Sequence, residues 1–396
     1  MRHASIPNAA DLSGRLDAVH CLRGLAALSV CLLHISVATL FVFPPSIQAV
    51  AWLGGFGVPM FFLISGFVVP LSLLGRGYSI RAFPRFVARR IVRLDPPYFA
   101  ALGLALLLAL VRTQDGATFP YHASDVALHV GYLSGLARRP WIVSVFWTLG
   151  IEFQYYLGVG LVVAAMVPLR RHLTTPAWTG PIMVGLLLAG TFLLRALELQ
   201  VTTNWGAQVW DDTWMGSRHA FLLGMAALVV RRFRLSLFWV LGVATIVFGW
   251  NHMLTWLAVH QWPDWSAIRP GVVLTGIAAA IVLAPTHWPW LRHLGRPLAG
   301  LGTISYSLYV THPLLVGMVV ARLVVSGWMP NSSFGLWCVF GAELAMCLGF
   351  ATGFYLLVER PGLRWSRLIR ITSATPRPAP PNGAAESPFT SRASTA

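Results

Sequence analysis

His34, Glu152 and His312 each lie inside an apolar run long enough to cross a bilayer. An ionisable side chain in hydrocarbon is costly, so it faces a protein interior or a water-filled cavity and marks a functional site by default. Histidine titrates near neutral pH and suits proton transfer. A carboxylate beside an imidazole can orient it or stabilise its charge, as in a catalytic triad. Three such groups point to proton chemistry or to the movement of something polar.

Spacing adds to this. Arg23 precedes His34 by eleven residues, so the two share a helical face and stand about 16 Å apart along it. An arginine at the rim suits phosphate, although Arg23 alone serves equally well as a snorkelling anchor. Arg90 and Arg93, one turn apart before Leu94-Asp95-Pro96-Pro97-Tyr98, form a natural anion clamp. Thr148, Glu152, Tyr155 and Tyr156 repeat at helical spacing, as do Ser305, Tyr306, Tyr309 and His312. Ser65 lies in the apolar run Phe61-Phe62-Leu63-Ile64-Ser65-Gly66-Phe67. Ser65, Tyr155, Ser305, Tyr306 and Tyr309 are candidates for contacting a substrate. For Tyr306 and Tyr309, a helix contact is as good an account. Measured from the end at which Arg23 lies, His34 is about 18 Å deep and His312 and Glu152 about 21 Å, in a core of about 30 Å. A shared polar centre is the simplest explanation of that common depth.

The elements that must position these groups are transmembrane helices. The chain is 56% hydrophobic and 11% charged, whereas soluble domains carry roughly a quarter charged residues. Lipid cannot satisfy backbone polar groups, and no alternating strand pattern supports a barrel, so the fold class is all-α, a polytopic bundle. About ten spans are expected, at 22–43, 50–74, 94–112, 146–168, 177–197, 214–230, 235–254, 270–285, 298–326 and 334–358. Prolines in the first turn of the third would fix its entry angle. The segment 125–137 is short and holds His129; it is read as not spanning. Arginines then collect on one side, in 76–93, 170–171, 231–234, 292–296 and the tail, while Glu198, Asp211, Asp212 and Asp264 fall on the other. That asymmetry places both termini in the cytoplasm, with Arg138 and Arg139 the exception. Residues 1–21 form a lead, 22–365 the transmembrane domain and 366–396 a disordered tail rich in Pro, Ala, Ser and Thr.

The net charge of +16 does not indicate nucleic acid, because juxtamembrane orientation and anionic headgroups account for the arginines. The chain contains no lysine, which excludes Schiff-base chemistry. Cys21, Cys31, Cys338 and Cys347 make no Cys-x-x-Cys pair and read as apolar filler. No metal site is expected.

Taken in order, Arg23-Gly24-Leu25-Ala26-Ala27 leading to His34, the Phe61–Phe67 run, Arg90-x-x-Arg93, Trp147-Thr148-Leu149-x-x-Glu152, Ser305-Tyr306-x-x-Tyr309-x-x-His312 and Glu359-Arg360-Pro361 resemble acyltransferase family 3 membrane enzymes. These include O-antigen acetylases and exopolysaccharide O-acetyltransferases. The resemblance runs from about 15 to 365. It implies a bacterial inner-membrane enzyme with no tightly bound cofactor, an acyl-CoA donor (acetyl-CoA foremost) reaching it from the cytoplasm and a carbohydrate hydroxyl as acceptor. Arg23 and His34 match the family's essential pair, and Arg90 and Arg93 its basic pair. His20 stands where the family usually has Asp, and Thr148 where it has Ser. On this reading His34 is a general base or a transiently acylated nucleophile, Glu152 supports it and His312 assists. A proton-coupled transporter or lipid-linked sugar flippase is the alternative, in which the same groups form a proton relay. No inverted repeat supports it.

Overall fold

The computed structural model describes residues 9–38, 43–74, 78–114, 118–170, 218–233, 236, 238–244, 273–278 and 291–369. Among these residues all regular structure is helical. Helix α1 spans Ala9–Ala38, α2 Pro45–Trp52, α3 Gly57–Leu74, α4 Phe83–Thr113, α5 Ala123–Val130 and α6 Phe146–Arg170. Helix α7 spans Arg218–Phe233, α8 Phe238–Ala244, α9 Leu291–Leu315, α10 Met318–Ser326, α11 Ser333–Phe354 and α12 Arg360–Leu368. A π-turn, Tyr355–Glu359, joins the last two.

Among the described residues six segments are long and apolar enough to cross a membrane: Val19–Val37, Gly54–Leu73, Ile80–Thr113, Phe146–Ala165, Pro297–Ser326 and Ser333–Leu368. Helix α7 holds the shorter apolar run His219–Arg231. The expected spans at 177–197, 235–254 and 270–285 lie wholly or largely outside the described residues. Helix α5, at eight residues, is about 12 Å long and too short to span, as the sequence leads one to expect.

Several boundaries differ from expectation. Helix α1 starts at Ala9, so much of the lead continues the first span. Helix α4 starts at Phe83, with Pro84 in its first turn. The basic segment is therefore continuous with the third span, and Pro96 and Pro97 fall inside the helix instead of opening it. They remove the N–H groups that would bond the Val92 and Arg93 carbonyls. Helix α12 packs there: a Cβ on Gly362 would sit 3.2 Å from the Val92 carbonyl oxygen. The ninth span breaks at Gly317, whose φ of 85° is the left-handed region that glycine tolerates. The last span runs on to Leu368, so the tail begins later than 366.

Helices α1 and α9 pack against each other, and α1 also meets α3 and α11. The α1–α9 contact is a crossing of glycines. A Cβ on Gly24 would lie 2.6 Å from the Gly302 nitrogen, and one on Gly302 would collide with the His20 carbonyl. Small residues allow this approach, which membrane helices use to gain packing contacts that lipid does not supply. Gly66 on α3 and Gly224 on α7 meet backbone in the same way. Among the described residues three apolar clusters pack the helices, one around Phe62, Phe86 and Phe221, one around Tyr98 and Phe146, and one around Ile35 and Phe340.

Candidate active site

The close α1–α9 approach brings His34 against His312. The His34 Nδ1 and His312 Nε2 atoms are 2.7 Å apart, and the rings are nearly parallel, 20° between planes. His312 is fully buried, and its Nδ1 lies 2.9 Å from the Leu308 carbonyl oxygen one turn back. A carbonyl only accepts, so His312 Nδ1 carries the hydrogen. In neutral His312, Nε2 is then a bare acceptor, and His34 Nδ1 must donate to it. The His34 proton is thereby assigned to Nδ1 and its Nε2 keeps a lone pair, the tautomer following from the bond network. Pro313, next to His312, has no N–H; α9 runs through it to Leu315, and at its end the Val316 N–H donates to the His312 carbonyl.

Glu152 has other partners. Its Oε1 accepts from Ser65 Oγ at 2.6 Å and from the Tyr156 hydroxyl. Glu152 was expected to orient the His34 imidazole or stabilise its charge; its described hydrogen bonds do not run to His34 but tie α6 to α3 and to its own next turn. It nevertheless stays in electrostatic reach of Tyr306 and Tyr309, and the Tyr309 ring lies 6.0 Å from that of His312. Of the three groups read at a common depth, His34 and His312 touch each other, and the described hydrogen bonds of Glu152 go to Ser65 and Tyr156.

The other candidates separate into two groups. Tyr309 shares a 2.6 Å hydrogen bond with Thr148, and the Tyr306 hydroxyl donates to the Leu94 carbonyl at 2.9 Å. Both act as the helix contacts the sequence also allowed. Ser305 donates to Gly302 within its own helix at 2.8 Å. Tyr155 is buried and stacks on Phe221 of α7, with ring centroids 4.0 Å apart, in the α6–α7 contact. Of the five substrate candidates, Ser65 bonds through its side chain to a candidate catalytic group, Glu152.

At the arginine end, Arg93 lies within electrostatic range of Arg23, Arg90, Tyr156 and Glu359. The Arg90 guanidinium sits 4.8 Å above the Tyr156 ring, where its charge meets the ring's negative face. None of the three arginines has a carboxylate at ion-pair distance among the described residues. They form a cationic cluster with hydrogen-bond donors to offer. Beside it, Glu359 accepts from the Ser307 N–H at 3.1 Å and from its hydroxyl at 2.6 Å, and Arg23 and Arg93 flank it. His20, the unusual residue in the Asp position, meets Thr303 at 3.1 Å.

Two buried carboxylates escaped sequence reasoning as site groups. Glu359 was seen only as part of a motif. Glu343 is fully buried in α11 and accepts from the N–H groups of Gly317, Val319 and Val320 at 3.2, 2.9 and 3.1 Å. It thus caps the start of α10, where helical N–H groups lack partners. The available signal was an acidic residue in an apolar run, the same signal that marked Glu152.

The segment beyond α4 closes over this core. The Tyr132 hydroxyl donates to Asp95 at 2.9 Å, and Tyr98 donates to the His129 carbonyl at 3.0 Å. The Ile142 N–H donates to His129 Nε2 at 2.9 Å, and Arg139 pairs with Asp125 at 2.8 Å. Tyr132 and Arg138 take φ values of 57° and 55°, a conformation that side chains disfavour and that surrounding bonds must hold.

A family model described as an acyltransferase domain matches residues 16–369. Among curated proteins, a putative membrane-bound transacylase, BcsY of Komagataeibacter xylinus, is 27% identical over 86% of this chain and 81% of its own length. Exopolysaccharide production protein ExoZ of Rhizobium meliloti is 27% identical over 81% of this chain and 93% of its own. O-acetyltransferase OatA of Staphylococcus aureus is 24% identical over 86% of this chain and 56% of its own. No solved structure matches.

Proposed function

This chain belongs to the acyltransferase family whose model spans it, and we propose that it moves an acyl group, acetyl foremost, from CoA to a carbohydrate hydroxyl. The observation that carries the mechanism is the hydrogen bond between His34 and His312. It leaves the His34 Nε2 lone pair available as a general base. As the acceptor oxygen attacks the thioester carbonyl carbon, His34 Nε2 takes its proton. The C–S bond then breaks, and His34 returns the proton to the leaving thiolate. His312 Nε2 stabilises the imidazolium by accepting its Nδ1–H, the role a carboxylate fills in a triad.

The donor's phosphates meet Arg23, Arg90 and Arg93, and the roughly 16 Å rise from Arg23 to His34 suits the reach of a pantetheine arm. CoA approaches from the cytoplasm, the side to which the arginine bias assigns that end of the bundle and both termini of an inner-membrane protein. The acceptor approaches from the other side, and Glu152 with Ser65 helps to position it. The acetyl group and the sugar are supported by the relatives' names, an O-acetyltransferase and an exopolysaccharide production protein.

The test is transfer of radiolabel from acetyl-CoA to carbohydrate by purified protein. His34→Gln keeps the fold and CoA binding and loses about 10²–10⁴-fold in rate, the usual worth of a general base. His312→Gln, whose amide oxygen can still accept from His34, loses less and loses it in kcat. A folded His34→Gln protein with near-native transfer sinks the proposal.

A further inference from the structure

Beyond the reaction centre, we infer that α12 holds the phosphate headgroup of an anionic membrane lipid. Arg360, Arg364 and Arg367 are all exposed, and their spacing puts them within about 60° of one another around the helix. With Tyr355 and Leu363 they line a recess of about 270 Å³. None of the three has a carboxylate at ion-pair distance among the described residues. The Tyr355 hydroxyl makes no described hydrogen bond, so the recess offers guanidinium forks and a phenol donor together. Guanidinium binds phosphate oxygens two at a time.

The surroundings select a lipid over a soluble phosphate. Trp365 and Leu368, 59% and 78% exposed, flank the arginines on the same short helix. That pattern, basic on one face and large apolar side chains beside it, is that of a helix lying in the membrane interface. Helix α12 also continues an apolar span that ends at Leu368, so it sits where headgroups are. The recess is not an extension of the Arg23–Arg90–Arg93 cluster. The buried face of α12, Gly362 and Ser366, packs on Val92 and Pro96 of α4. The arginine face lies on the far side of the helix from α4 and the donor arginines on it.

The experiment uses the full chain in neutral detergent and reads binding of phosphatidylglycerol by native mass spectrometry. Phosphatidylcholine, inorganic phosphate and CoA serve as competing arms. Phosphatidylglycerol is expected to bind and phosphatidylcholine to fail to displace it. Each arginine near a membrane surface is worth about fivefold in affinity, so R360Q/R364Q/R367Q weakens binding about a hundredfold. If the triple variant fails to fold, R364Q and R367Q are read singly, each expected to weaken binding about fivefold. Undiminished lipid binding by the folded variants overturns the inference. So does displacement of the lipid by millimolar phosphate or CoA, which would make the recess a soluble-phosphate site.

Discussion

The polarity of the bonds around His312 is fixed by one group that cannot donate, the Leu308 carbonyl. From it the proton on each imidazole nitrogen follows, ending at the His34 Nε2 lone pair. The sequence marked His34 as a candidate, because a histidine at that depth needs a reason. It did not show the partner. Depth along a helix comes from counting residues, whereas which of two equally deep groups touches His34 depends on the azimuth of α6 and α9 about α1. That is a property of packing, and it favoured His312. The arginine cluster was easier, because Arg90 and Arg93 share a helix and Arg23, eleven residues before His34 on another, is counted to the same end. If these arginines hold the donor's phosphates, Arg90→Ala and Arg93→Ala each weaken CoA binding by about 1.5–3 kcal/mol, the worth of a charged hydrogen bond. Isothermal titration with CoA reads this directly. Acceptor KM stays near the parent value, and an unchanged CoA affinity leaves the arginines as membrane anchors.

Among the elements, the α1–α9 crossing sets the distance between the two imidazoles. A methyl on Gly302 meets the His20 carbonyl, and backbone cannot yield as a flexible side chain can. Gly302→Ala is therefore expected to move α9 away from α1, lengthen the His34–His312 bond and lower kcat more than CoA affinity. Transfer kinetics beside CoA titration would check this, and loss of both together would indicate a general collapse of the bundle. The segment 121–145 should respond to acid. Burial holds the His129 pKa below its ordinary 6.5, and its Nε2 must stay bare to accept from Ile142. The unfolded segment thus binds a proton first, and stability falls as pH drops below about 6.5. The His122 N–H and then Arg139 hold Asp125 below its ordinary 3.8. Its contribution, present above that value, is lost as pH falls further. Hydrogen-exchange protection across 123–145, taken relative to the intrinsic exchange rate at each pH, is expected to fall in those two stages, and a flat protection profile from pH 7 to 3 would contradict this account. No residue pattern announced this network beyond the brevity of the helix. Its bonds run to the Asp95 side chain, the Ile142 N–H and the His129 carbonyl, and backbone partners have no residue signature.

For the molecule as a whole, hydropathy announced the bundle because apolar runs of span length have few other uses. Its interruptions were less legible. Breaks at Gly317 and at the π-turn keep the hydropathy high, so 298–326 read as one span although Glu343 caps a second helix inside it. The topology is open to labelling. In a chain with its native cysteines replaced, Ser79→Cys and Leu368→Cys should react with an impermeant reagent only from the cytoplasm, and Leu136→Cys only from outside. Reaction of Ser79→Cys and Leu136→Cys from the same face would require 125–137 to be reassigned. The π-turn at Tyr355–Glu359 has a mechanical meaning as well. One extra residue in a helix advances everything after it by about 100°, so the turn works as an indexing step between α11 and α12. Deleting Val358 would rotate Arg360, Arg364 and Arg367 through that angle as a set and carry Glu359 off Ser307. The insertion therefore sets two bearings at once, one toward the interior and one toward the membrane surface, and neither can be retuned without the other.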